Sequence, residues 1–178
     1  MGKAKQIAFS GMAIALSVVI VAFIKLPSLP NGGCITLGSM LVISMVGYCY
    51  GWKTGIAAGV ASGLLQFIFE PFFIHPAQFF LDYPLAFGAL GLSGFFCHRK
   101  HGLALGYLAG VFGRLFFHEV SGLIFFTSYV GSLKGNTIAV WGTLLYNASY
   151  VLTEAALTLL LLSLPGVRRQ FEQIKNSV

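Results

Sequence analysis

The chain has 178 residues, of which 57% are apolar and only 9% charged, and it carries a formal charge of +6 at neutral pH. A soluble domain carries about 25% charged residues, so this composition excludes an ordinary water-soluble domain and fits a chain whose solvent is lipid. The basic residues are dispersed over separate short segments, which argues against a nucleic-acid interface and leaves the bilayer as the expected surroundings.

A membrane-spanning helix needs roughly 20 mostly apolar residues. On that basis the sequence predicts an all-α integral membrane protein, one six-transmembrane-helix bundle filling residues 1–178 as a single membrane domain. The helices are expected at about 6–26, 36–51, 54–70, 77–97, 103–127 and 138–163. The first follows a short basic N-terminus without a small-residue cleavage site, so it reads as an uncleaved span. Ala4, Ala8, Gly11 and Ala15 give it a small-residue stripe. Such a stripe permits close helix approach, either to a partner or within the bundle. The Pro/Gly-punctuated segment from Leu26 to Cys34 is an irregular turn that can cap a site. The second and third helices are separated only by Gly51-Trp52-Lys53, and the third carries Gln66.

The segment from Glu70 to Pro76 is aromatic-rich for a loop and suggests an interface belt or the lip of a pocket. The fourth helix brings Asp82, followed by Tyr83 and Pro84. The fifth places Arg114 and His118 four residues apart, with Glu119 beside them and Ser121 and Gly122 continuing the face. The sixth carries Asn147, Tyr150 and Glu154 at spacings of three and four. These intervals put residues on one side of a helix.

Six spans leave both termini on one side. That side holds Lys3, Lys5, Lys53, Arg99, Lys100, Arg168, Arg169 and Lys175, the other only Lys25 and Lys134. The bias predicts that both termini are cytoplasmic. Arg114 falls inside the fifth span.

An ionisable side chain at membrane depth is costly and marks function by default. Asp82, Arg114, His118 and Asn147 amid aromatic residues have the make-up of a buried small-molecule site, with apolar walls and a few converging polar groups. The same residues could instead pair as polar glue between helices. An intramembrane enzyme using His118 with Asp82 or Glu119 as acid and base is a further alternative. No nucleotide-binding, hydrolase or zinc-protease motif is present, so if the chain serves an ATP-driven transporter the motor has to be borrowed from other subunits. Cys34, Cys49 and Cys97 lack metal-site spacing and read as packing residues, and neither a metal nor a cofactor is expected.

Taken in order, several segments form a pattern: Leu29-Pro30-Asn31-Gly32-Gly33, Ile35 to Met40, Gly63-Leu64-Leu65-Gln66, Leu81-Asp82-Tyr83-Pro84-Leu85-Ala86-Phe87 and Leu90 to Gly94. Arg114, His118, Ser121, Gly122, Phe125-Phe126 and Tyr146-Asn147 follow. This series resembles the thiamin-specific S components, the substrate-binding subunits of energy-coupling factor (ECF) transporters. The resemblance runs over almost the whole chain. It implies a bacterial cytoplasmic-membrane protein, multi-pass, that binds thiamin with high affinity near the outer surface. It also implies association with an ECF scaffold transmembrane subunit and two ATPase subunits, which use the ATP. It assigns the ligand's aminopyrimidine to Asp82 and Asn147, a ligand contact to His118, ring stacking to Phe126, and the hydroxyethyl end to Tyr83 and Arg114. The stripe on the first helix becomes the scaffold-docking face. A carboxylate suits a cationic ligand, and aromatic faces attract its thiazolium.

The chain also departs from the pattern. Some members carry tryptophans where it has Gly33, Ser62 and Phe126, some a tyrosine at Gly142, and some Glu at Asp82. Trp141, one residue before Gly142, is the expected replacement. These departures leave open a related ligand: a thiamin precursor, a thiamin phosphate or another vitamin.

Overall fold

The computed structural model describes residues 2–24, 29, 33–126 and 137–178, with the backbone alone at 126 and 137–139. The regular elements among the described residues are all helices, with no strand. Helix α1 is Lys3–Phe23, α2 Ser39–Tyr50 and α3 Trp52–Phe69. Helix α4 runs from Pro76 to Phe96, α5 from Gly102 to Ser121 with a π-helical continuation at Gly122–Phe126, α6 is Thr137–Ser163 and α7 Pro165–Ser177.

Four described helices are long and apolar enough to cross a membrane: Lys3–Phe23, Pro76–Phe96, Gly102–Phe125 and Val140–Ser163. Their outer surfaces are apolar. Ile7, Met12, Phe23, Phe116, Leu145 and Leu160 are each more than half exposed, the reverse of a water-soluble pattern. Helix α2, also apolar, has 12 residues and extends only ~18 Å at the helical rise. It starts at Ser39, three residues later than the periodicity suggests, because Thr36 is turned toward α6 and Gly38 takes a left-handed conformation (φ 84°).

Glycine determines how α3, α4 and α5 meet. Gly55, Gly59 and Gly63 form a stripe along α3. A Cβ on Gly59 would lie 2.2 Å from the Phe87 carbonyl oxygen, and one on Gly63 2.5 Å from that of Tyr83. Gly91 and Gly94 of α4 return the contact, each touching α3 backbone. On the other side Gly106 and Gly110 of α5 approach the backbone of Ser93 and Leu90. Helix α4 is therefore clasped backbone to backbone from both sides, the geometry that small residues allow in membranes.

Glu154 fixes α2 to α6. Its buried carboxylate accepts from Thr36 Oγ1 (2.7 Å), Ser39 Oγ (3.1 Å) and the amide of Met40 (3.2 Å). An anion at a helix N-terminus meets unsatisfied N–H groups and the favourable end of the dipole. Glu154, grouped with Asn147 by spacing, is therefore a cap delivered from another helix.

Helix α7 is an element that the search for apolar runs does not predict. It is amphipathic: Val167 and Phe171 pack against the core while Arg168 and Glu172 stay exposed and pair at 2.9 Å. Pro165 stands at its start, where a missing N–H is harmless. Lys175 donates to the Cys97 carbonyl and lies 3.9 Å from the Tyr48 ring centroid, tying α7 to the ends of α2 and α4. At the same end Tyr50 Oη is 3.5 Å from the Lys5 carbonyl, so the N-terminus, the α2–α3 turn, the α4–α5 turn and α7 gather together. The cavity described next lies toward the opposite end.

Candidate functional site

A cavity of about 380 Å³ opens between α3, α4, α5 and α6. Glu70, Pro71, Phe72 and Ile74 line it, which makes the aromatic 70–76 segment its lip. That lip is sewn down. The Tyr83 hydroxyl accepts from the Phe72 amide (3.0 Å) and donates to the Glu70 carbonyl (2.9 Å). Gln78 Oε1 accepts from the Ile74 amide, and His75 caps α4 through Nδ1 while stacking on Phe125.

Both helices that carry the central polar residues are distorted beside the cavity. Leu81–Leu85 and Gly122–Phe126 are single π-helical turns. Such turns recur at functional sites because they re-aim side chains and free backbone groups. The first contains Asp82 and Pro84, whose ring cannot sit in an unperturbed α-helix. Just ahead of the second, the His118 carbonyl accepts from Asn147 Nδ2 (3.0 Å).

Asp82 Oδ1 lies 2.9 Å from His118 Nδ1, and Oδ2 accepts from Ser121 Oγ at 2.8 Å. Arg114 Nε donates to His118 Nε2 at 3.2 Å. Since that nitrogen accepts, the imidazole is the neutral tautomer with its proton on Nδ1, donated to Asp82. The three residues form a chain, guanidinium to imidazole to carboxylate, in which Arg114 reaches Asp82 only through His118. The guanidinium also sits 4.2 Å from the centroid of Phe87. Each Asp82 oxygen keeps a lone pair for a further donor.

Asp82, Tyr83, Arg114, His118, Gly122, Asn147 and Gly33 all line the cavity. Gly122 is needed for close approach: a Cβ there would lie 2.3 Å from Thr143 Cγ2. Asn147 spends its side chain internally, Nδ2 on His118 and Oδ1 accepting from the Tyr150 hydroxyl at 3.1 Å. It braces the wall as well as facing the cavity.

The Trp141 expectation needs correction. Its side chain is 59% exposed and does not line the cavity. Thr143, Asn147 and Tyr150 define the inner face of α6, and Trp141 falls with Leu145 on the outer one. The aromatic wall comes instead from Tyr146 and Tyr150, whose rings meet edge to face at 5.7 Å. The Tyr146 hydroxyl accepts from the Gly33 amide (2.9 Å), and a Cβ on Gly33 would lie 2.7 Å from that oxygen. This explains the glycine: the tyrosines occupy the space a larger side chain would need. Ser62 is fully buried against Ser17 of α1, away from the cavity. The Phe126 side chain and most of the 26–32 loop lie outside the described residues.

Gln66 is a polar residue among the apolar ones of α3. It lines the cavity, and its Nε2 is buried without a hydrogen-bond partner among the described residues. Its spacing of four from Glu70, which also lines the cavity, was the available signal.

The small-residue stripe of α1 is open. Ala4, Ala8, Gly11 and Ala15 are all exposed, and a Cβ on Gly11 would meet nothing within 4 Å. Helix α1 instead buries Ala13, Ser17, Ile20 and Val21 against the bundle.

Comparison with known proteins places this architecture. In a search of solved structures, ThiT from Listeria monocytogenes superposes with a TM-score of 0.66 over 93% of this chain and 97% of its own, at 20% identity, which identifies the fold. Thiamine transporter ThiT of Bacillus subtilis (strain 168) is 31% identical over 166 residues, covering 85% of this chain and 83% of that protein. The thiamine transporter protein family matches residues 7–172. The chain belongs to that family, a family of membrane transporters and not of enzymes.

Proposed function

We propose that the chain is the thiamin-binding S component of an ATP-driven ECF uptake system in a bacterial cytoplasmic membrane. It crosses that membrane six times with both termini in the cytoplasm, and it works with a scaffold subunit and two ATPase subunits. The observation that carries the ligand reading is the Asp82 carboxylate. It stands at the wall of the cavity with His118 and Ser121 fixing both its oxygens. An oriented carboxylate supplies counter-charge to a thiazolium and an acceptor to an aminopyrimidine amine. Tyr146 and Tyr150 supply ring faces of the kind that attract a flat cation. The partner reading is supported by the uncovered stripe on α1, and the topology by the gathering of basic segments at one end of the bundle.

The test is accumulation of labelled thiamin by cells. Cells that co-express the chain with scaffold and ATPases should accumulate it, and cells expressing the chain alone should not. Equal uptake in both would contradict the dependence on an external motor.

A thiamin phosphate is a second reading, favoured by Arg114. Its guanidinium lines the cavity and spends one of five N–H donors on His118, an arrangement suited to an anion at the far end of the ligand. Mass spectrometry of ligand carried through purification separates the two readings.

A further inference from the structure

A second cavity, about 600 Å³, lies at the end of the bundle opposite the first. Its walls are the α4–α5 turn, the start of α5, the end of α6 and α7. Arg99, Lys100, Arg168 and Lys175 contribute four formal positive charges, with His101 beside them, against the single carboxylate of Glu172. Glu172 is already paired with Arg168, and Lys175 is held on Tyr48 and the Cys97 carbonyl. The side chains of Arg99 and Lys100 are exposed and have no hydrogen-bond or ion-pair partner among the described residues. His101, at φ 59°, turns the chain sharply between them and α5.

We propose that this cavity binds the phosphate of an anionic phospholipid headgroup. Phosphate is the ligand chemistry that a cluster of unpaired arginine and lysine recognises. The depth of the cavity argues for a lipid source. Gly102–Ala104 open α5 and Leu159–Ser163 close α6, two helices of spanning length, so the cavity sits at the level where hydrocarbon gives way to headgroups. Leu105, Leu160, Leu161 and Leu164 are exposed alongside it and offer an apolar surface for acyl chains. Trp52 and Phe95, stacked at 5.4 Å and both exposed, mark an aromatic belt at the neighbouring corner. Basic pockets between membrane helices bind anionic headgroups in this manner.

The site is independent of the thiamin cavity and of its ligand. The experiment is native mass spectrometry of the purified chain in detergent, titrated with phosphatidylglycerol or with phosphatidylcholine of the same acyl chains. One phosphatidylglycerol should be retained in preference to phosphatidylcholine. Arg99→Gln combined with Lys100→Gln should weaken it about 20- to 30-fold, from roughly 1 kcal/mol per basic residue. Lys100→Gln alone should give about fivefold. Arg169→Gln, which removes an exposed charge of α7 outside the cavity, should leave retention unchanged. An unchanged melting temperature shows that each variant is folded. Equal retention of both lipids, or an equal loss in Arg169→Gln, would overturn the proposal by reducing it to surface charge. Displacement of phosphatidylglycerol by inorganic phosphate at comparable concentration would overturn the lipid source in favour of a soluble phosphate ligand.

Discussion

Asp82 on α4 and His118 on α5 meet at 2.9 Å across two helices that glycines hold in backbone contact with their neighbours. The distance depends on both: the π-turn aims Asp82 and the tautomer of His118 is set by Arg114 on its other nitrogen.

Replacing Arg114 with Gln removes the donor that fixes His118 and the cation over Phe87. If a phosphate end is bound at Arg114, the dissociation constant for thiamin monophosphate should rise about tenfold more than that for thiamin, the difference expected for one charge-assisted contact. Equal changes for the two ligands, measured by calorimetric titration, would remove the second reading.

Glu154→Gln keeps the shape of the cap but loses its charge and turns an amide against donors from Thr36, Ser39 and Met40. The expected loss is about 2–4 kcal/mol of stability, since hydrogen bonds to charged groups are each worth about 1.5–3 kcal/mol and one oxygen remains. It should appear as a lowered melting temperature in detergent, with ligand affinity at low temperature within about threefold of wild type.

Gly59→Val should prevent accumulation of folded protein, because a side chain there collides with the Phe87 carbonyl and pushes α4 away from α3. Gly142→Ala, where a Cβ meets nothing within 4 Å, should be tolerated. Size-exclusion profiles of the two variants check the contrast.

Ala8→Leu together with Gly11→Leu alters only exposed positions. Ligand binding by the isolated chain should be unchanged, while co-purification with the scaffold subunit should be lost. Retention of the complex would assign docking to another surface.

Much of the architecture was legible because lipid writes plain rules: apolar runs give helices, and rare polar residues point inward. Asp82, Arg114, His118 and Asn147 stood out on that ground and do converge. Periodicity misjudged what depends on partners. Glu154 shares a face of α6 with Asn147 yet lies two turns further along, where its carboxylate caps the start of α2 instead of entering the cavity. Trp141 has the right chemistry but the wrong helical phase. Helix α7 has too few consecutive apolar residues to register as a span, and its amphipathic pattern was the unread signal. Tyr146 and Tyr150 close the space left by Gly33, a compensation between sequence positions more than a hundred residues apart.

Recognition of the vitamin by Asp82 can be measured directly on the purified chain. Neither tryptophan lines the cavity, so heat is a more direct readout than tryptophan fluorescence. Calorimetric titration of the purified chain with thiamin should give sub-micromolar affinity, and Asp82→Asn should weaken it by more than about tenfold, as loss of a charged acceptor requires. Absence of binding by the wild type, or unchanged affinity in Asp82→Asn, would contradict the account.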